Sequence, residues 1–533
     1  MRSYTRPMDL TVAGIEEFAT RLAPLDVRAN VAWWQASTEV SDAHEAERVA
    51  ADLALRELLG DTDTFRALSS ASRGSVDPVV RRQANVLRDR MAPQQVSAEI
   101  RDALVRGEAR IDRVFNEFRQ LLDGAPVDDN VITEVLRAST DPDLRQRAWV
   151  ASKEVGAEVA DGVRELAHLR NRAARELGER DYFALTLATS ELDEEALLAT
   201  LDAVDTATRS PFAEWKARDD ERRADRFGCS VTELRPWHYE DLFFQSAPDT
   251  DRLDLDEWFS GCDLVALTRR TYSGIGLDID PILARSDLLP RAGKSQHAFC
   301  IDIDRRGDVR VLCNNVAGLR WAETMLHEFG HAVYDAGVDP ALPWLTRTMH
   351  PLTTEGVAML FGRLALEPEW LEVVAGFPHE VVAAAGPALA RRRRSALLVF
   401  ARWVLVMTSF ERSFYADPDA DHDTRWWDLV ERFQLLTRPD GRRAPDWAAK
   451  IHVALAPVYY QNYLLGELVA SQLQATLVAR FGGIVDRIAA GSFLADSVFR
   501  PGWSVRWDEL IERATGRPLS VDAFAAEIDS LGD

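Results

Sequence analysis

The sequence has little cysteine, little lysine and no long hydrophobic run. Its four cysteines, Cys229, Cys262, Cys300 and Cys313, form no CxxC pair, which argues against a cysteine zinc site and against a disulfide framework. No uninterrupted apolar stretch reaches the roughly 18 residues that a membrane span needs. The first residues also lack the apolar core of a signal peptide. We therefore expect a cytoplasmic protein without a membrane segment.

Positive charge is scarce beside negative charge. Lys and Arg number 63 against 86 Asp and Glu, so the formal net charge is −23 at pH 7. Such a charge repels nucleic acid and anionic membrane surfaces over most of the exterior. We expect neither as a partner and favour a small, peptidic one. Because only four basic residues are lysines, the surroundings of each are of interest: Lys153, Lys216, Lys294 and Lys450.

Helical periodicity runs through most of the 533 residues, a length that can bury a large core or divide into two lobes. Apolar residues recur at three- and four-residue spacing, as in amphipathic helices. The clearest helical stretches are residues 12–22, 43–59 and 96–122, and loops are expected at residues 69–77 and 124–129. An aromatic cluster after Pro236 interrupts the pattern and is either a groove-lining loop or part of the core.

One extended segment lies in the middle of the chain. Residues 298–303 and 309–313 alternate in polarity around a turn that contains Gly307, which predicts a β-hairpin. If the turn centres on Arg306 and Gly307, Cys300 faces Cys313, whereas a shift in loop length separates the two cysteines. We predict a mostly α fold with one small β element.

A complete HExxH motif follows the hairpin, His327-Glu328-Phe329-Gly330-His331. On a helix, residues four apart project from one face, which lets His327 and His331 bind one zinc ion. Glu328 lies beside them and can reach the water that attacks a substrate. Apolar neighbours support a buried helix that ends at Gly337. The alternative is two histidines that share a helix face without a metal.

A catalytic zinc ion requires a third protein ligand and an open fourth position. The candidate is Glu355, 24 residues after His331, an interval that allows the first helix to end and a loop to return. Glu355 is expected in the first turn of a second amphipathic helix that runs to about Leu366. His350 is the competing third ligand.

A later segment collects Lys450, His452 and three of the nine tyrosines. Tyr460 and Tyr463 share a helical face, and a tyrosine hydroxyl or an imidazole N–H can stabilise an oxyanion. Lys450 can hold the carboxylate of a peptide C-terminus. The alternative is an aromatic helix packed in the core.

These motifs together resemble the angiotensin-converting-enzyme family of zinc dipeptidyl carboxypeptidases. The thimet oligopeptidase and oligoendopeptidase F families are similar relatives. Lys450-x-His452 and Tyr460-x-x-Tyr463 resemble that family's Lys-x-His and Tyr-x-x-Tyr, which bind the substrate carboxylate and the scissile carbonyl. His297-Ala298 resembles the His-Ala pair on the strand that aligns the substrate.

Two departures from the family pattern stand within these motifs. The interval between His452 and Tyr460 is one residue longer here. Tyr463 is the expected oxyanion donor, and because of the insertion Tyr459 remains an alternative. The family has an Asp four residues after the ligand Glu, where it supports a zinc histidine, and this chain has Met359 there.

The resemblance implies a two-lobed helical zincin-like fold with a deep groove and a small central β-hairpin. We expect one catalytic unit over residues 1–533, with a helical part over approximately 1–290 and a part with the zinc and substrate sites over approximately 291–533. Zn²⁺ is bound by His327, His331 and Glu355.

The implied reaction is zinc-dependent hydrolysis of peptide bonds in short oligopeptides, with release of C-terminal dipeptides. Glu328 is the general base, Tyr463 and His452 stabilise the oxyanion, and the substrate is bound by Lys450, Tyr460, His297 and Ala298. One alternative is an endo-oligopeptidase of the oligoendopeptidase F type. Alternatives of another class are a zinc-free peptide-binding relative and a purely structural helical protein.

Overall fold

The structure is a computed structural model that describes residues 12–74, 77–248 and 253–532. These residues form 22 α-helices, several short 3₁₀ turns and four short strands, which confirms the predicted mostly α fold. No helix among them is both long and apolar enough to cross a membrane.

The helices of the first half are long and closely spaced along the chain. They are α1 (Val12–Thr38), α2 (Asp42–Leu59), α3 (Thr62–Gly74), α4 (Pro78–Met91), α5 (Ala98–Glu117), α6 (Asp129–Ala138), α7 (Pro142–Glu176), α8 (Tyr182–Thr189), α9 (Glu194–Phe227), α10 (Leu255–Phe259), α11 (Leu264–Gly274) and α12 (Asp280–Leu283).

The helices of the second half include those that carry the motifs. They are α13 (Leu319–Gly337), α14 (Pro351–Gly362), α15 (Pro368–Val373), α16 (His379–Ala416), α17 (His422–Gln434), α18 (Ile451–Leu455), α19 (Tyr460–Phe481), α20 (Ile488–Leu494), α21 (Trp507–Thr515) and α22 (Asp522–Ser530). The strands are β1 (Gln120–Leu122), β2 (Ala125–Val127), β3 (Phe299–Asp302) and β4 (Val309–Leu312).

The chain divides into two compact units that interleave along the sequence. Unit 1 comprises Met1–Gln95, Leu253–Leu389 and Leu465–Phe524, and unit 2 comprises Val96–Arg252, Ala390–Leu464 and Ala525–Asp533. This division differs from the expected one near residue 290, because segments distant in sequence pack together within each unit.

A second hairpin interrupts the predicted helix over residues 96–122. Helix α5 ends at Glu117, and β1 pairs antiparallel with β2 through Leu122 and Ala125. The two turn residues Asp123 and Gly124 both have positive φ, as the two-residue turns of tight hairpins require. Half of the loop predicted at 124–129 is therefore strand, because β2 covers Ala125–Val127. The loop predicted at 69–77 is also wrong in part, because α3 continues to Gly74.

The predicted central hairpin is confirmed, but its register is not the one that pairs two cysteines. Cys300 faces Val311, and all four cysteines are free thiols. The Ile303 N–H donates to Asp308 O at 2.9 Å, which leaves a four-residue loop instead of the assumed two-residue turn. Side-chain oxygens of Asp302 and Asp304 accept backbone N–H groups within this loop, and these bonds stabilise the longer connection.

The aromatic cluster after Pro236 belongs to the core of unit 2. Trp237 and Tyr239 are buried. The buried Arg145 guanidinium donates to Trp237 O at 2.7 Å and to Tyr239 O at 3.1 Å. Of the two predicted alternatives for this segment, the structure therefore confirms that Trp237 and Tyr239 are part of the core.

Candidate metal centre

Helix α13 presents the HExxH motif from a buried position in unit 1. Its apolar residues Met325, Leu326 and Phe329 are buried, which fixes the rotation of the helix. The Tyr272 hydroxyl donates to Leu326 O at 2.6 Å, immediately before His327, the first candidate ligand. The position of His327 is therefore held by both packing and a hydrogen bond.

Helices α13 and α14 approach closely beside the motif. A Cβ atom on Gly330, inside HExxH, would lie 2.8 Å from Ala358 Cα. Only glycine permits this approach. Helix α13 ends at Gly337 as predicted, where a Cβ atom would lie 2.8 Å from Phe499 Cβ.

The three predicted ligand side chains come together. The Nε2 atoms of His327 and His331 are 3.2 Å apart, and His327 Nε2 is 3.8 Å from Glu355 Oε2. A tetrahedral zinc ion with bonds of about 2.0–2.1 Å separates its ligand atoms by about 3.3 Å. The donor set of two imidazoles and one carboxylate therefore fits zinc in both chemistry and spacing. It is the group of possible metal ligands found among the described residues.

Glu355 lies one turn further into α14 than predicted. The helix begins at Pro351, a favoured first residue, and the side chain of His350 caps it by accepting the Leu352 N–H at 3.1 Å. Glu355 is therefore in the second turn. His350 is buried against Trp503 and Trp507, and its role as a cap argues against the alternative that it is the third ligand.

The protein surroundings keep both histidines in the form that binds metal. Burial lowers the pKa of His327 to about 4 and that of His331 well below its ordinary value. Both imidazoles are thus neutral at pH 7, with a nitrogen lone pair available to a cation.

Thr354 orients the second histidine, and the sequence reasoning missed it. The Thr354 Oγ1 atom is 2.6 Å from His331 Nδ1. Because His331 Nε2 faces the other ligands, Nδ1 is the protonated nitrogen and donates to the hydroxyl. The position of the family's supporting Asp is instead apolar: Met359 Sδ lies 3.1 Å from where a Cβ of Gly466 would be.

Glu328 is buried and faces the edge of the hairpin. Burial raises its pKa to about 8, the Glu355 carboxylate raises it as well, and the backbone N–H of Cys300 acts in the opposite direction. A divalent cation beside it would oppose this rise, since positive charge favours the carboxylate form.

The outer edge of β3 is partly available to a partner strand. The register directs the backbone groups of Cys300 and Asp302 away from β4. The Asp302 carbonyl is already bonded, because Asn30 Nδ2 of α1 donates to it at 3.2 Å. His297 is exposed and Ala298 is half-buried, immediately before the strand. The Cys300 N–H is also engaged, by the Glu328 carboxylate. The part of this edge left to a peptide is therefore short and consists of Ala298 and the Cys300 carbonyl.

The remaining predicted residues form a group within unit 2. His452 packs on Tyr460 with ring centroids 5.0 Å apart. Tyr463 contacts both Tyr459 and Tyr460, at 5.1 and 5.6 Å. Tyr460 is buried, whereas Tyr459, His452 and Tyr463 are half-buried. Burial lowers the pKa of His452 to about 4, so its imidazole is neutral at pH 7.

Two lysines of interest have different surroundings. Lys450 Nζ donates to Gln245 Oε1 at 2.7 Å, a neutral partner that the sequence reasoning missed, and burial lowers the Lys450 pKa to about 8. Lys294 is buried and donates to Asp287 Oδ1 at 2.8 Å and to Leu289 O at 2.9 Å. Among the described residues no carboxylate lies within ion-pair distance of Lys450, although the charge of Asp241 acts to raise its pKa. Lys294, by contrast, is structural.

No protein-family model matches the chain, and no curated protein is significantly similar to it. The functional assignment therefore depends on the geometry of the site and on the resemblance of its motifs.

Proposed function

We propose that the protein is a zinc-dependent metallopeptidase that acts on short oligopeptides. The observation that supports this most strongly is the convergence of His327, His331 and Glu355, whose ligand atoms lie within 4.8 Å of one another. Three protein ligands with room for a fourth are typical of catalytic zinc sites. When bound, zinc supplies Lewis acidity toward the scissile carbonyl and makes water more acidic.

Glu328 is the proposed general base. It follows the first histidine on α13 and is held at the edge of β3. Its carboxylate accepts a proton from the attacking water and delivers this proton to the leaving amine. Tyr463 and His452 stabilise the oxyanion, a role that the resemblance implies and that their O–H and N–H groups can serve.

The edge of β3 is the proposed guide for the peptide. A substrate that adds as a strand can use the backbone groups of Ala298 and the carbonyl of Cys300. The following outward-facing carbonyl of the strand, that of Asp302, already accepts a hydrogen bond from Asn30 Nδ2. This arrangement favours short peptides, and the groove that the resemblance implies stays a prediction.

Zinc content and the Glu328→Gln variant test the zinc chemistry. We expect one zinc ion per chain and loss of peptidase activity on chelation. Glu328→Gln should keep the zinc, because Glu328 is not a ligand, and should lower kcat by about 10²-fold or more. The exposed Glu380→Gln serves as a control with full activity. Full activity in metal-free protein would reject the proposal, and a zinc-free parent without activity would favour the peptide-binding relative.

Lys450 distinguishes dipeptide release from internal cleavage. Its ammonium has a neutral amide partner and aromatic neighbours, so a free C-terminal carboxylate is a favourable ligand, worth roughly one to two orders of magnitude in kcat/KM. Lys450→Ala should impair cleavage of peptides with a free C-terminus and leave the same peptides, amidated, scarcely changed. Equal cleavage of both forms by the parent, at internal bonds, would favour the endo-oligopeptidase.

A further inference from the structure

The turn before α19 contains a residue in a sterically unfavourable conformation. Val458 is buried and has a φ of 57°. A β-branched side chain at positive φ is rare, because Cβ crowds the neighbouring carbonyl. Seven non-glycine residues in the described part of the chain have positive φ, and Val458 is the β-branched one.

Two buried side chains hold both backbone polar groups of this valine. Glu411 Oε1 of α16 accepts the Val458 N–H at 2.7 Å, and Gln461 Nε2 of α19 donates to Val458 O at 2.6 Å. Glu411 and Gln461 are each 1% exposed. Strained backbone of this kind persists where the surroundings over-determine it.

The bond to the Val458 N–H is the hydrogen bond that the described structure shows at the Glu411 carboxyl group. No salt bridge to it is found there, and its second oxygen, Oε2, lacks a hydrogen-bond partner. Burial raises its pKa to about 8, while the Val458 N–H and the charge of Arg170 act in the opposite direction, and the neutral form is favoured at pH 7. Burying a carboxyl group without a hydrogen bond is costly, and the Val458 N–H supplies that bond.

The turn leads directly into the tyrosines. Tyr459 follows Val458, and α19 begins at Tyr460 and carries Tyr463 one turn later. The interval between His452 and Tyr460 is also the one that is a residue longer than in the family resembled. A left-handed residue reverses the local direction of the chain and can absorb such an insertion.

We propose that Glu411 and Gln461 are positioning residues that hold Val458 left-handed and thereby place the Tyr459 and Tyr463 hydroxyls for the reaction. This inference rests on the proposed peptidase function. Without the clamp, Val458 relaxes to negative φ and the start of α19 shifts, which moves the hydroxyls away from the charge that develops in the transition state.

The test compares Glu411→Ala with the double variant Glu411→Ala/Val458→Gly. Glu411→Ala should lower kcat by about 10²-fold with little change in KM. The added glycine adopts positive φ without a steric cost, so the double variant should recover at least about tenfold of that loss. Glu411→Gln keeps an acceptor oxygen and should retain more activity than Glu411→Ala. The exposed Glu158→Ala on α7 is the control.

A second readout does not depend on activity. Hydrogen exchange at the Val458 amide should be slow in the parent and faster in Glu411→Ala. If Glu411→Ala fails to fold, Gln461→Met removes the other half of the clamp and should show the same fall in kcat. An active parent whose Glu411→Ala variant keeps its kcat, or a double variant no better than the single one, overturns the inference. An inactive parent instead overturns the proposed function.

Discussion

One hydrogen bond orients His331, a proposed ligand of the metal centre. The Thr354 hydroxyl holds His331 Nδ1 at 2.6 Å, although the resembled family places a carboxylate near its zinc histidines. A neutral partner fixes the tautomer and the ring orientation without making the imidazole as basic as a carboxylate would. The contribution of this hydrogen bond is therefore measurable as a change in zinc affinity.

Thr354→Ala should weaken zinc binding by about 10–100-fold, as expected for loss of an outer partner of a metal ligand. Thr354→Ser should retain most of the affinity because it keeps the hydroxyl. Competition with a chromophoric chelator measures both. Thr324→Ala, which removes an exposed hydroxyl bonded to Arg320 O, should leave the affinity unchanged. Equal zinc affinity in Thr354→Ala and the parent would show that Thr354 does not support the metal centre.

At the element scale, the contact between α13 and α14 brings Glu355, the proposed third ligand, to the two histidines. The two helices meet at Gly330, and Gly362 of α14 lies against His327, where a Cβ would be 3.3 Å from His327 Cβ. The distance between Glu355 and the histidines therefore depends on small residues at this crossing, and not on the ligands alone.

Gly330→Ala should separate α13 from α14 and lower both the thermal midpoint and the zinc affinity. The added Cβ would meet backbone, Ala358 Cα at 2.8 Å, which cannot rotate away as a side chain can. Gly162→Ala in α7 is the matched control, because its added Cβ would meet only the side chain of Ile111, at 3.4 Å. The control should be neutral or slightly stabilising. Unchanged zinc affinity in Gly330→Ala would show that the crossing does not set the ligand spacing.

At the scale of the whole molecule, each unit is assembled from segments far apart in sequence. In unit 2, Lys153 of α7 is buried with its Nζ 3.2 Å from the Phe243 ring centroid, and it donates to Leu242 O at 2.8 Å. Burial lowers its pKa to about 7, although the nearby carboxylates of Asp446 and Asp241 act in the opposite direction. The charge state of this lysine therefore links folding to pH.

Lys153→Met should remove a pH dependence of stability. The unfolded lysine titrates near pH 10.4, so between pH 7 and 10 the unfolded chain binds more protons and stability rises with pH. The free energy of unfolding of Lys153→Met minus that of the parent should fall by roughly 2 kcal/mol from pH 7 to pH 9. Thermal midpoints of both proteins at the two pH values measure it. Arg172→Met, at an exposed position of α7, should show no such trend.

Local patterns in the sequence were sufficient to predict the helical class and the convergence of His327, His331 and Glu355. The spacing of His327 and His331 is a property of one helix turn, and Glu355 follows at an interval that one loop can span. Helix periodicity depends on neighbours three and four residues away, and so it can be read without tertiary structure.

Tertiary structure alone decided the register of the central hairpin and the partners of the site residues. Cys300 faces Val311 because side-chain bonds of Asp302 and Asp304 stabilise a four-residue loop. The contact of Glu411 with Val458 joins residues 47 positions apart, a separation at which spacing carries no information. Such pairings depend on how helices pack and which backbone conformations the loops adopt, and these are set by the folded chain as a whole.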